Sequence, residues 1–423
     1  MRGAILVAWL VAAPLAAALR APAAEIETLL RDEALWSLPA KELPLRHGGF
    51  NWTWVEPDTT ARSTDPGATF AGRRVSAAIF RFENGRAARL TVFLYSRGDA
   101  GTRTEEEFEA QVKAAVAALT AWAGPPAAPP RSLRVAADAR AETQSWARAP
   151  HQVSLEWGYS RPRNADGRAY FRAEYIRLDL APAEARGTAA VPPSAPAPAE
   201  RVRREPGGDV RIVEVPMVDQ GATGYCAVAV IERVMRYYGM DYDMHQAAQL
   251  AGAGARGTEI SNLSEAARKI AGRFRLTYKD LMEIDLLRLV EDYNRRARRA
   301  KETPITIGRA PNADTVFRQM KPALLKEVRL DERNDRRRFF QWVRESVDRG
   351  APPIWAVMLG LVPEPQQLPQ AAGGHLRLIV GYNADTQEIL FSDSWGPGHE
   401  LKRLSADDAW TITVGLAVIA PKN

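Results

Sequence analysis

The chain has 423 residues, of which 46% are hydrophobic and 26% charged, with a formal net charge of +6 and a pI near 9.4. That length exceeds the usual single domain, so two or three domains are expected, and the ordinary globular composition excludes disorder over most of the chain. The basic excess sits in short arginine clusters at 201–204, 295–301 and 336–338. With no zinc-ligand spacing and no nucleic-acid-binding signature beside them, these read as solvated helix faces, and no nucleic-acid partner is expected.

In chain order, residues 1–23 come first. Arg2 precedes an apolar stretch that ends in small-residue cleavage options after Ala18 or Ala23, which reads as a secretory signal peptide. No other run of about 18 apolar residues occurs, so the mature protein is expected to be exported, to periplasm or external medium, without a membrane span.

Residues 24–181 read as a smaller α+β domain. The strand-like runs 74–83 and 86–95 flank Asn84-Gly85, a strong hairpin signal because both residues tolerate positive φ. A helix is expected from Thr104, whose side chain can form a capping box with Glu107, to about Trp122, with Gly124-Pro125-Pro126 ending it. Further strand-like runs are 151–159 and 170–180. No catalytic constellation stands out here, and three roles remain open: docking a substrate, covering a cleft as a propeptide would, or stabilising the chain. Residues 182–207 begin Pro/Ala-rich and lack large apolar side chains over most of their length, as a spacer does. The second domain is expected over 208–423.

Within it, Val228, Ile231, Val234, Met235 and Tyr238 recur at helical spacing, with Glu232, Arg233 and Arg236 on the other face. Thr223 is the expected N-cap and Gly239 the expected C′ residue. Cys226, the one cysteine of the chain, therefore falls in the first turn, where the helix dipole and unpaired N–H groups favour a thiolate. A single cysteine in an exported chain makes no internal disulfide. It is a small core residue, half of an intermolecular bridge, or a nucleophile. Helical patterns return between 262 and 349, and the end of the chain reads as strands.

A thiol nucleophile needs a base, and the base an orienting group. His375 lies in a strand pattern that turns at 383–386 and returns through 388–396. If Tyr382 faces Glu388, Asp393 lies opposite Arg377 and diagonal to His375 on one face, within side-chain reach. Of the other histidines, His47, His151 and His245 read as polar surface or capping residues, and His399, in an apparent turn, is the rival base. Gln220, six residues before Cys226, offers an amide donor for an oxyanion. No His/Cys/carboxylate spacing suggests a metal, and no cofactor is expected.

The segment Gln220-Gly-Ala-Thr-Gly-Tyr-Cys226-Ala-Val-Ala, the later Gly374-His375 and the run Asp393-Ser-Trp-Gly396 resemble the papain-like cysteine peptidases, in particular the bacteriocin-processing, double-glycine-leader subgroup. The resemblance covers roughly 208–423. It implies a helical lobe carrying Cys226 packed on an antiparallel sheet carrying His375 and Asp393. Residue by residue it suggests Cys226 as nucleophile, His375 as general base and acid, Asp393 as the orienting residue, Gln220 for the oxyanion hole and Trp395 as a shield over the base. It also implies a protein or peptide substrate. Papain-like enzymes proper usually carry asparagine at the position of Asp393, whereas the bacteriocin-processing subgroup uses aspartate. That subgroup is commonly fused to a membrane transporter and an ATP-binding domain, and neither pattern occurs here, a departure that puts double-glycine leader specificity in doubt. Two other readings of the same residues are an idle peptidase-like binding protein and a transamidase or cell-wall amidase.

Overall fold

A computed structural model describes residues 24–135, 137–164, 166–183, 197–220, 225–240, 260–308 and 311–421. The signal-peptide reading of 1–23, the N-cap expected at Thr223 and His245 lie outside the described residues.

The first sheet is built from Thr53–Glu56 (β1), Thr60–Ser63 (β2), Ala77–Glu83 (β3), Arg86–Ser96 (β4), Arg131–Arg134 (β5), Ala139–Arg148 (β6), His151–Ser160 (β7) and Arg172–Pro182 (β8). Its order is β1-β2-β3-β4-β8-β7-β6-β5, antiparallel throughout. The β3–β4 hairpin closes at Asn84 and Gly85, both at positive φ, where the sequence placed it. The helix Glu105–Ala123 (α1) carries the expected reciprocal bonds between Thr104 and Glu107 and stops at Gly124. Its Phe108, Ala115 and Leu119 pack with Leu90, Val92, Leu155, Ile176 and Leu178 in one apolar core. The opposite face of the sheet is polar: Arg62, Arg177 and Asp179 are buried there, with Arg177 Nε 2.8 Å from Asp179 Oδ2. His151, expected at the surface, is buried, because the rings of Trp36 and Trp122 pack against it.

The second sheet takes Val202–Arg204 (β9) and Asp209–Ile212 (β10) from the start of this half of the chain. The stretch read as a spacer thus gives its last residues to the fold, since β9 pairs with β10 and Pro198–Arg201 forms a 3₁₀ turn. Next come the helices Cys226–Tyr237 (α2) and Ile260–Arg273 (α3), the strand Leu276–Glu283 (β11), and the helices Leu286–Arg299 (α4), Pro322–Asp331 (α5) and Arg333–Asp348 (α6). The end of the chain supplies Ile354–Leu359 (β12), Gly373–Asn383 (β13), Glu388–Ser392 (β14), Lys402–Ser405 (β15), Ala406–Ile412 (α7) and Thr413–Pro421 (β16). The order is β9-β10-β13-β12-β16-β11, with β14 joining β13 to β15.

Strand β12 is buried at every position because both faces are covered. Ile354, Ala356 and Met358 join one core with α2, α3, α4 and α5, while Trp355, Val357 and Leu359 join another with Phe339, Val343 and Trp410 from α6 and α7. The period of two that separates these sets is that of a strand packed between two layers.

Helix α2 ends as expected. Gly239 sits at φ 78°, the Gly239 N–H donates to Arg236 O and the Met240 N–H to Met235 O, a Schellman closure that needs a residue tolerant of left-handed backbone. What the sequence pattern missed is that the polar face of α2 is buried as well. Arg233 is 1% exposed. Its Nε donates to Pro216 O at 2.7 Å, Nη1 to Asp393 O at 3.0 Å and Nη2 to Ser392 Oγ at 2.6 Å. Desolvation pushes its pKa down to about 10, opposed by the Asp393 charge, so it stays a cation at neutral pH. Truncation to Arg233→Met leaves these acceptors buried without a donor. The expected result in urea unfolding is a loss on the order of 3 kcal/mol, and a loss under about 1 kcal/mol would mean that solvent replaces the guanidinium.

Candidate active site

Cys226 opens α2. The first intrahelical bond, from the Ala229 N–H to Tyr225 O, leaves the N–H groups ahead of it without helical partners, the arrangement that attracts an anion. The helix starts directly at Tyr225 without a side-chain cap. The thiol is half-buried.

His375 and Arg377 lie on β13, two residues apart and on one face. The expected hairpin register is off by one at the turn, where Tyr382 pairs with Ile389 and Asn383 with Glu388. An irregularity between Ile379 and Gly381 then absorbs one residue, and beyond it Ile379 pairs with Phe391 and Leu378 with Ser392. Continuing that second register sets Asp393 across from Arg377, the placement the sequence anticipated, reached through a bulge it did not.

Asp393 is fully buried and its carboxylate is crowded with donors. Oδ1 lies 3.0 Å from His375 Nε2 and 2.8 Å from Arg377 Nε, and Oδ2 lies 2.7 Å from Lys402 Nζ. Arg377 also reaches Glu364 at 3.0 Å. Burial alone raises the Asp393 pKa, but the hydrogen bond from His375 and the charges of Arg377, His375 and Lys402 outweigh it and hold the carboxyl well below its ordinary range. Lys402 and Glu364 were not found in the sequence reading. A lysine on β15, nine residues past Asp393, carries no local signal that it folds back onto a buried carboxylate.

With a carboxylate at Nε2, the proton of a neutral His375 ring stays on that nitrogen. The buried Nδ1 has no well-aligned hydrogen bond and is the atom left for the thiol. Burial raises the Cys226 pKa, yet the interaction with His375, its positive charge and the N–H groups of Leu376 and Ala227 reverse the sign, so the thiol ends below its ordinary value. For His375 desolvation lowers the pKa, and the bonds to Asp393 and Cys226 overcome it, so the imidazole ends above its ordinary value. The opposed shifts each favour the charged form, thiolate on one side and imidazolium on the other, and the two groups titrate as a coupled pair.

Trp395 stacks on the imidazole with ring centroids 4.2 Å apart and planes 5° from parallel, which covers one face of the ring. His399, the rival base, is engaged elsewhere: its Nδ1 accepts from Lys402 Nζ at 2.6 Å, and burial followed by the Lys402 charge lowers its pKa. Gln220 is buried, and its N–H donates to Ser394 O at 2.8 Å, which places it beside the Asp393 segment. Cys226, His375 and Asp393 are thus brought together, Gln220 lies against the segment that follows β14 and carries Asp393, and the His399 backbone oxygen accepts the Asp393 N–H while its ring is held by Lys402.

A helix-borne thiol, a sheet-borne histidine and a buried carboxylate in this order make a papain-like site. Residues 214–290, which include Gln220 and Cys226, match the model of the Peptidase C39 family. The segment that opens the second domain and carries the thiol is therefore similar to the cysteine peptidases of that family. No curated protein matches the chain. Among solved structures, it is similar to the peptidase domain of Streptococcus ComA, a bi-functional ABC transporter involved in a quorum-sensing pathway, at 16% identity and a TM-score of 0.26, over 49% of this chain and 100% of that one. It is also similar to xylellain, a cysteine protease from Xylella fastidiosa, at 11% identity and a TM-score of 0.28, over 54% of this chain and 90% of that one. His375 and Asp393 lie beyond the matched 214–290 segment, and their placement with Cys226 rests on the contacts described above.

The coupled shifts are measurable without a substrate. The rate of Cys226 alkylation by iodoacetamide should rise with pH along a titration centred below the ordinary thiol value. In His375→Ala the curve should move upward, because burial is then opposed only by the Leu376 and Ala227 N–H groups, and the rate at neutral pH should drop about tenfold or more. Superimposable curves for the two proteins would mean that the thiol and imidazole do not interact.

Proposed function

We propose that this protein is an exported peptidase that hydrolyses peptide bonds through a Cys226 thioester. The observation that carries the reading is the pairing of a thiol and an imidazole whose pKa values are pushed in opposite directions, with the imidazole fixed by a buried carboxylate.

In the proposed cycle the Cys226 thiolate attacks the scissile carbonyl carbon, and the carbonyl oxygen takes the negative charge. The Cys226 N–H and the Gln220 side-chain amide stabilise that oxyanion. His375, as imidazolium, gives its Nδ1 proton to the leaving amine, the C–N bond breaks and a thioester remains. Neutral His375 then takes a proton from water, hydroxide adds to the thioester carbonyl, and the acid leaves as Cys226 returns to the thiolate paired with imidazolium. Through both halves Asp393 remains ionised and keeps the ring oriented. Export is supported by the sequence of residues 1–23, and among the described residues no helix is long and apolar enough to cross a membrane.

Purified protein assayed on a peptide library should release new N-termini. Cys226→Ala or His375→Ala should lower kcat by on the order of 10⁴-fold or more, and Gln220→Ala by roughly 10²- to 10³-fold. Incorporation of an added primary amine in preference to hydrolysis would replace the peptidase reading with a transamidase, and neither product would favour a binding protein.

The pH dependence follows from the signs. The productive pair needs a deprotonated Cys226, whose pKa is lowered, and a protonated His375, whose pKa is raised. The profile of kcat/KM should therefore be a bell, with its acid limb below the ordinary thiol value and its alkaline limb above the ordinary imidazole value. An acid limb at the ordinary thiol value would remove the ion pair from the mechanism.

A further inference from the structure

The first domain has its own apolar core and contributes none of the residues in the proposed cycle, yet it touches the second domain at the chain leading into the site. Arg62 of β2 is buried, and its Nη1 lies 2.9 Å from both the backbone oxygen and Oδ2 of Asp219, the residue before Gln220. Two residues earlier, the Met217 N–H donates to Glu56 Oε1 on β1 at 2.6 Å. Glu56 also faces Arg236 at 4.0 Å, and Arg81 of β3 faces Glu232 at 3.7 Å, both on α2.

The second contact is at Tyr225, the residue before Cys226. Its hydroxyl accepts the Gly98 N–H at 2.9 Å and lies 3.5 Å from Ser96 Oγ. A Cβ on Gly98 would stand 2.2 Å from Cζ of that ring and 2.5 Å from Cε1, so the tyrosine lies flat on bare glycine backbone. Gly98 is not at positive φ; glycine is required there by the ring and not by the backbone. The seat is anchored within the first domain, since Arg97 Nε donates to buried Glu174 at 2.9 Å and Tyr95 Oη donates to Gly101 O at 2.7 Å.

We infer that the first domain is a working part of the peptidase site, in which Arg62 and Gly98 are positioning residues that hold the backbone immediately ahead of Gln220 and of Cys226. The contacts described above run to Met217, Asp219, Tyr225, Glu232 and Arg236, and none is to Cys226, His375 or Asp393. That is the pattern of a brace behind the site and not of a cover over it. Through Asp219, Arg62 acts on the oxyanion side. Gly98 acts through Tyr225 on the nucleophile, because a shift of that residue moves the first N–H groups of α2 with it.

The inference rests on the peptidase reading, and its test separates the two. In the full-length mature chain, Arg62→Met should lower kcat by on the order of ten- to a hundredfold with KM little changed, while the pH profile of Cys226 alkylation stays in place. Gly98→Ala should lower kcat similarly and also shift the alkylation profile upward. Adding Tyr225→Leu to Gly98→Ala removes the clash and should return the profile to that of Tyr225→Leu alone. The milder Arg62→Lys and Tyr225→Phe should show the same division with smaller effects, and they carry the test if a stronger variant fails to fold.

Folded Arg62 and Gly98 variants that alkylate and turn over like wild type would overturn the inference. So would faster turnover, the behaviour expected on loosening a cover. Alkylation needs no substrate, so a shifted profile in Gly98→Ala without peptide cleavage by any form would sink the peptidase reading and leave the brace at Cys226 standing.

Discussion

The site depends first on one buried cation. Arg233 lies seven residues from Cys226 on α2, and seven steps of about 100° return almost to the same stripe of the helix. The element that presents the thiol therefore also grips, two turns further on, the backbone oxygen of Asp393, the hydroxyl of Ser392 and the oxygen of Pro216. The first two lie at the end of β14 and on the residue just beyond it, which orients the histidine, and the third lies four residues before Gln220. Removing a guanidinium from water is costly, and here its donors meet fixed acceptors. The distance between nucleophile and orienting carboxylate is thus set by one rigid side chain on a rigid helix and not by the loops between them.

Around Asp393 the balance of charge decides how the histidine behaves. Arg377 and Lys402 would by themselves leave a surplus positive charge beside the imidazole and oppose its protonation. Glu364 on Arg377 supplies the second carboxylate, so two cations face two anions. A thiolate and an imidazolium added to this set also sum to zero, so ionising the pair adds no net charge to the site. The two extra cations act on Asp393 more than on His375: a carboxylate tied at both oxygens cannot rotate away or take up the imidazole proton.

What was legible in the sequence was local. The capping box at Thr104, the turn at Asn84 and the closure at Gly239 depend on residues within a few positions of one another, and their chemistry is the same in the fold as in the string. The neighbours of Cys226 and His375 carried the resemblance for the same reason. Illegible features were those decided by distant chain. Arg233 reads as the polar side of an amphipathic helix until that side is itself covered. Strand β11 lies between helical patterns and is a strand only because β16 offers it an edge. The hairpin register was misjudged at the turn, and the diagonal from His375 to Asp393 survived because the bulge near Val380 restored the count.

The first domain shows why its sheet has one apolar and one charged face. The apolar face is covered by α1, and its core would hold with any partner of the right volume. At the β1–β3 end the other face meets the second domain through Arg62, Glu56 and Arg81. A greasy contact of the same size tolerates sliding by an ångström with little change in energy. Hydrogen bonds with fixed donors lose most of their energy over that distance, so they specify register even where they add little net stability. Register is what matters at this interface, because Asp219, which Arg62 holds, stands one position from Gln220, where a displacement of that size changes a reactive geometry more than it changes the fold.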